Sequence, residues 1–118
     1  KSIIMAITIN WDCKTVECYS SMGGHTNVIY NIHWRVTGTS DTVYEEGSLY
    51  TDSSFGIQTL DTSDLSGFTE FSNLTHSDII SWTKSALGSS QVTAIETEVK
   101  SKIDSYANPS SVTLTVSD

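Results

Sequence analysis

Proline occurs once in this chain, at position 109, and only six side chains are basic against fourteen acidic ones. With no proline before Pro109, strands and helices can run long without forced interruption. The shortage of Lys and Arg leaves a formal net charge of −8. Such a surface repels phosphate backbones, which argues against nucleic-acid partners. It suits solubility, or docking on a basic partner surface. No apolar run approaches the roughly 20 residues of a membrane-crossing helix, so no membrane partner is expected either. Charged residues make up only 17 % of the chain, and Ser and Thr are abundant, a balance common in extracellular or particle-surface β proteins. The 118 residues fit one domain with a modest core. The opening "KSIIMAITIN" lacks a small-x-small cleavage site. It reads as the lead-in to a strand, with Met5 as a translation start and Lys1–Ile4 as upstream sequence.

Cysteine is also scarce: Cys13 and Cys18 are the only two. On one continuous strand, five residues at about 3.3 Å each place them some 16 Å apart and on opposite faces, beyond disulfide reach. A turn through Lys14–Glu17 would bring them together, but that stretch has no Gly, Pro, Asn or Asp. A zinc site needs further ligands, and the three histidines are scattered. Two ordinary thiols is the favoured reading, with a local disulfide and a metal site as the alternatives.

What the chain does have is period-two alternation. Residues 3–19 alternate loosely, with Ile3, Met5, Ile7, Ile9 and Trp11 on one parity until Asp12 interrupts. "SSMGGHTN" (20–27) is a turn, Gly23-Gly24 supplying positive φ angles. In 28–38, Val28, Tyr30, Ile32, Trp34 and Val36 share one face, and Ile29, Asn31, His33, Arg35 and Thr37 the other. "GTSD" (38–41) reads as the next turn and 42–51 as a third strand. Residues 52–75, rich in Ser, Thr, Asp and Gly, read as a long connection whose apolar residues staple it to the domain.

After residue 75 the period changes. Thr75 is an N-cap with Asp78 at the capping-box offset, and Ile79, Trp82, Ala86 and Leu87 fall at helical spacing before a stop at Gly88. A second helix restarts at Ser89 or Ser90, with the stripe Val92, Ile95, Val99, Ile103 and Tyr106, and ends at Asn108-Pro109. The expected helices span 76–87 and 90–107. Neither buries its stripe alone, so both must pack on the apolar face of the sheet. The expected fold is α+β, a three- to four-stranded antiparallel meander with a C-terminal αα-hairpin packed on one face. Its parts are a β-meander (1–54), a long loop (55–75), the helical hairpin (76–108) and a C-terminal arm (109–118). The arm "SSVTLTVSD" alternates again, and 111–117 is expected as an edge strand that contacts another chain through Val112, Leu114 and Val116.

Chemistry is hard to find. His33, Trp34 and Arg35 are adjacent, but consecutive strand residues point to opposite faces, so they form no local constellation. A catalytic His33 would need a carboxylate partner such as Glu45 or Glu46 across the hairpin. The simpler reading is a solvent-facing row with a cross-strand Arg35–Glu pair. Glu45 and Glu46 diverge, as neighbours on a strand must. Asp61, Asp64 and Glu70 lack the acidic spacing of a calcium loop. Asn73-Leu74-Thr75 fits a glycosylation sequon, though Thr75 is better explained as a cap. No serine sits in a nucleophile motif. Trp34 and Trp82 read as core residues. No catalytic, cofactor-binding or metal site is expected, and no cofactor.

Several stretches carry a resemblance: "MAITI" (5–9), "YNIHWRVTG" (30–38), "SLY" (48–50) and above all "DIISWTKSALGSSQVTAIETEVKSKIDSYANP" (78–109). They resemble small, uncharacterised, virion-associated proteins of marine tailed phages, cyanophages in particular. The match follows most of the chain in order and skips the 52–75 connection. The Lys1–Ile4 extension, the two cysteines and the β-like tail after Pro109 depart from it. The resemblance implies a non-enzymatic structural protein located in the virion, a homo-oligomer or a lattice-bound subunit partnered by capsid, neck or tail proteins. A glycan- or receptor-binding module of a fibre, using exposed aromatics, is the alternative.

Overall fold

The computed structural model describes residues 5–43 and 47–117. Three strands, β1 (Ile7–Met22), β2 (His25–Val43) and β3 (Leu49–Thr59), precede a 3-10 turn at Phe71–Asn73 and two helices, α1 (His76–Leu87) and α2 (Ser89–Ala107). The strands form one antiparallel meander in the order β1-β2-β3, and the helices lie on one face of it. This is the α+β architecture expected, with three strands in the sheet. Lys1–Ile4 lie outside the described residues.

The β1–β2 hairpin is long because nothing in it demands an earlier turn. Met22 pairs with His25, leaving Gly23 (φ 58°) and Gly24 (φ 82°) as a two-residue loop. Two successive positive φ angles match the right-handed twist of the flanking strands. The expected turn at 38–41 is not a turn. β2 continues through it to Val43, and the third strand is 49–59 rather than 42–51. Ser40 explains the continuation: its buried hydroxyl donates to the Thr42 carbonyl at 2.7 Å and accepts from the Tyr50 amide at 3.0 Å. The side chain thereby fixes the start of β3, which a turn-former count does not register. The long connection is correspondingly shorter, from Leu60 onward. The β2 strand of 19 residues reaches roughly 60 Å at about 3.3 Å per residue. The chain accordingly measures 75 × 24 × 24 Å.

Two irregularities decide which side chains face the helices. Between Asp12 and Thr15 the β1 register slips, as it does between Glu17 and Cys18. The first slip turns Val16 and Cys18 toward the core beside Trp11 and Cys13, so the cysteines share a face instead of opposing one another. Both are free thiols, and burial pushes the ionisation of each upward. The second slip leaves Tyr30 without a partner on β1. Ile29 takes the core position expected for Tyr30, which is half-buried and stacks on Tyr19 at 4.3 Å between ring centroids. Ile32, Trp34 and Val36 are buried as their parity requires, and Val28, beyond the slip, is buried as well.

Both helices follow the local signals. Thr75 accepts from the Asp78 amide at 3.2 Å, and Asp78 accepts from the Thr75 amide at 2.9 Å, closing the capping box. Gly88, at φ 86°, ends α1, and α2 begins at the next residue. Ile79, Val99 and Ile103 are buried in the core cluster, while Trp82, Leu87 and Ile95 pack against it half-buried. Gly38 allows α2 this close: a Cβ there would sit 2.7 Å from Ile103 Cδ1 and 2.8 Å from Val99 Cγ1. Residues 60–69 fold back along the hairpin tip, where Phe68 stacks on His25 at 4.2 Å. Leu60, Leu65, Phe68 and Trp82 line a 290 Å³ cavity with Val28.

Candidate functional site

The helices cover one face of the sheet and leave the other open. The cross-strand register puts Asp12, Thr15 and Glu17 of β1, Asn31, His33 and Arg35 of β2, and Ser53, Phe55, Ile57 and Thr59 of β3 on the open face. His33 Nε2 lies 3.0 Å from Glu17 Oε1, which also accepts from Asn31 Nδ2 at 3.2 Å. Thr59 Oγ1 donates to Asn31 Oδ1 at 2.7 Å, so the polar row crosses all three strands. The hydrogen bonds from Asn31 and His33 hold the Glu17 carboxyl below the usual carboxylate range. The row lies in solvent, with the His33 and Glu17 side chains 40 % and 44 % exposed.

Arg35 turns the other way. Its guanidinium donates to Ser53 Oγ at 3.0 Å and sits 5.2 Å from the Phe55 ring centroid. Glu45 and Glu46, the carboxylates expected opposite Arg35 and His33, lie outside the described residues. Glu17, the carboxylate that does meet His33, was missed because the register slip after Asp12 reverses its parity. Phe55 and Ile57, 71 % and 56 % exposed, form one wall of a shallow groove of about 690 Å³ with Asp12, Lys14, His33 and Arg35.

The His33–Glu17 pair has an oriented imidazole but stands in solvent, 40 % and 44 % exposed, whereas an electrostatic catalytic site works in a water-excluded setting. The His33→Ala variant is accordingly expected to keep the wild-type urea midpoint and whatever particle-binding or ligand-binding activity the protein has. Loss of that activity at unchanged stability would assign the imidazole a direct role. Among the described residues no group of three or more His, Cys, Asp or Glu side chains is placed to hold a metal ion. Asp61 and Asp64 instead accept from the Ser63 and Ser66 amides at 2.9 and 3.0 Å, which keeps both carboxyls low.

The last turn of α2 lies over β3. Lys102 Nζ donates to the Ser53 carbonyl at 3.0 Å, and the Tyr106 hydroxyl donates to the Asp52 carboxylate. With the Ser53 amide, Tyr106 holds Asp52 below the ordinary Asp range. A carboxyl whose folded value is depressed stabilises the fold fully above its unfolded value and loses that contribution as pH falls through the folded one. The thermal midpoint should therefore hold above about pH 4.5 and fall as pH drops below about 4. Asp52→Asn should lower the midpoint at neutral pH and make the acid fall shallower, as a calorimetric pH series would show.

Beyond Asn108 the chain carries no helix or strand and is exposed, with Val112, Leu114 and Val116 at 74 %, 80 % and 90 % exposure. The expected edge strand at 111–117 does not form within the single chain. Ordering each backbone residue costs about 1–2 kcal/mol, and here no ladder hydrogen bonds or burial offset that cost.

A two-layer α+β domain with one open sheet face and an unpaired arm is thus the class that the geometry defines. Residues 6–115 match the family described as Domain of unknown function (DUF7936), and the chain belongs to that family. No curated protein and no solved structure matches it.

Proposed function

We propose that this is a non-enzymatic structural protein of a phage virion, a capsid decoration or cement protein or a minor attachment protein on the head, neck or tail. It works as a homo-oligomer or lattice-bound subunit among other virion proteins, without cofactor, nucleic acid or membrane. The single observation behind this reading is the arm. Three apolar side chains on one parity stand in solvent, on a segment with the alternation of a strand and no partner strand of its own. Such a segment gains free energy by adding to another sheet. The acidic surface and the resemblance to phage proteins support the same setting.

Quantitative mass spectrometry of purified particles tests it, with a copy number that follows capsid stoichiometry as the expected result. Removing residues 110–118 should leave a folded protein that incorporates poorly. Absence from particles would sink the reading. A second reading, a glycan- or receptor-binding module of a fibre, is favoured by the open groove in which Arg35 steadies the exposed Phe55 ring. Labelling confined to fibre tips would select it.

A further inference from the structure

We infer that the arm's acceptor is the outer edge of β3 on a second copy of this chain, so that copies join by strand exchange. This deepens the assembly reading by naming the partner and the contact.

The sheet has two outer edges, β1 and β3. The β1 edge is interrupted at its slip, where the Cys13 amide donates to His76 Nε2 and the Lys14 amide to Asp12 Oδ1. On β3, Lys102 takes the Ser53 carbonyl, a lysine guarding an edge as natural sheets commonly do. The guard ends there. Ser54–Thr59 continues the edge strand, where among the described residues the one side-chain hydrogen bond to its backbone is the Gln58 amide on the Thr59 carbonyl at 2.9 Å. That stretch has the same length as residues 112–117.

Side-chain chemistry matches as well. Phe55 and Ile57 share the open face and are largely exposed. A strand laid along Ser54–Thr59 with Val112, Leu114 and Val116 on that face extends the Phe55–Ile57 row. Its Thr113 and Thr115 then fall beside Ser54, Gly56 and Gln58 on the other face. Both exposed apolar sets are covered by one contact.

The acceptor is placed on a second copy because the single chain leaves its own arm unpaired. The Tyr106–Asp52 bond brings the end of α2 onto the guarded stretch of the same edge. An arm leaving one copy and an edge receiving on the next make a two-sided interface. It closes if two copies exchange arms reciprocally and propagates if they do not.

Sedimentation of the full chain, of the chain lacking 110–118, and of Leu114→Asp and Ile57→Asp tests this. Both substituted positions are exposed, so the fold should tolerate them. The full chain should associate in a concentration-dependent manner. Each variant should weaken association about tenfold or more, because the junction would bury an unpaired carboxylate. Mixing Leu114→Asp, whose edge is intact, with Ile57→Asp, whose arm is intact, should restore a mixed species, since one sound junction remains. Amides of 112–117 should be protected from exchange only under associating conditions. Three results overturn the inference: a full chain that stays monomeric with unprotected arm amides, a monomer with protected arm amides (the arm on its own β3), or association indifferent to both charges. Absence of the protein from virions would refute the function proposed above and leave this interface standing. The reverse outcome, incorporation by a chain that never self-associates, refutes only the interface.

Discussion

Replacing Trp34 by alanine should lower the unfolding free energy by about 3–5 kcal/mol, the range for deleting a buried aromatic. Whole domains are stable by only about 5–15 kcal/mol, so the variant should be largely unfolded well below the wild-type urea midpoint. Trp34 is 9 % exposed and packs on Trp11 at 5.7 Å between ring centroids. Across the ladder its partner is Gly56, where a Cβ would stand 2.6 Å from the indole. The indole thus packs directly against the β3 backbone at Gly56. Its Nε1 is buried without an acceptor among the described residues, so part of the packing gain is already offset by an unmade hydrogen bond. Trp34→Phe removes that unmet donor and should cost clearly less than Trp34→Ala. Gly56→Ala should destabilise the wild type by about 1–3 kcal/mol through overpacking, and much less in the Trp34→Ala background. Additive effects in that cycle would show that the ring and the glycine do not share a site.

The second large effect is expected at Ile103. Its side chain is fully buried where α2 crosses β2, directly over Gly38. Ile103→Ala should cost about 2–5 kcal/mol, and urea unfolding followed by tryptophan fluorescence would measure it. The spread reflects whether α2 can settle onto the glycine. Gly38→Ala alone is unfavourable, since its Cβ would stand 2.7 Å from Ile103 Cδ1 and 2.8 Å from Val99 Cγ1. Ile103→Ala relieves the first of these clashes and leaves the second, so the double variant should be destabilised by less than the sum of the two single changes. Strict additivity would mean that Gly38 serves strand geometry and not helix approach. Losing Ile103 should also loosen the Lys102–Ser53 bond beside it and the Tyr106–Asp52 bond one turn on, since all three hold the same end of α2 to the sheet.

Local signals carried the helical half of the molecule. Capping at Thr75, the break at Gly88 and the stripe through Val99 and Ile103 each depend on residues within a turn or two, where spacing alone fixes which groups meet. The strand parity of Ile32, Trp34 and Val36 was readable for the same reason, as was the open-face placement of His33 and Arg35. The Gly23-Gly24 reversal needed only the chirality of the backbone. What escaped was anything that depends on a neighbouring strand. The slips between β1 and β2 reverse the parity of β1 after Asp12 and that of β2 at Tyr30, and no composition marks them. They move Cys18 and Ile29 inward, turn Tyr30 aside, and bring Glu17 to His33. Ser40 carries β2 past a segment with turn composition because its hydroxyl finds Tyr50 ten residues on. The arm has a strand's alternation but no strand's structure, since alternation states which face a strand would bury and not whether a ladder is within reach. By itself, then, the sequence determined the elements whose hydrogen bonds close locally: both helices, their caps and the hairpin turn. Only the tertiary structure decided register, the pairing on the open face and the fate of the arm, because a β-ladder's partners lie elsewhere in the chain or on another copy.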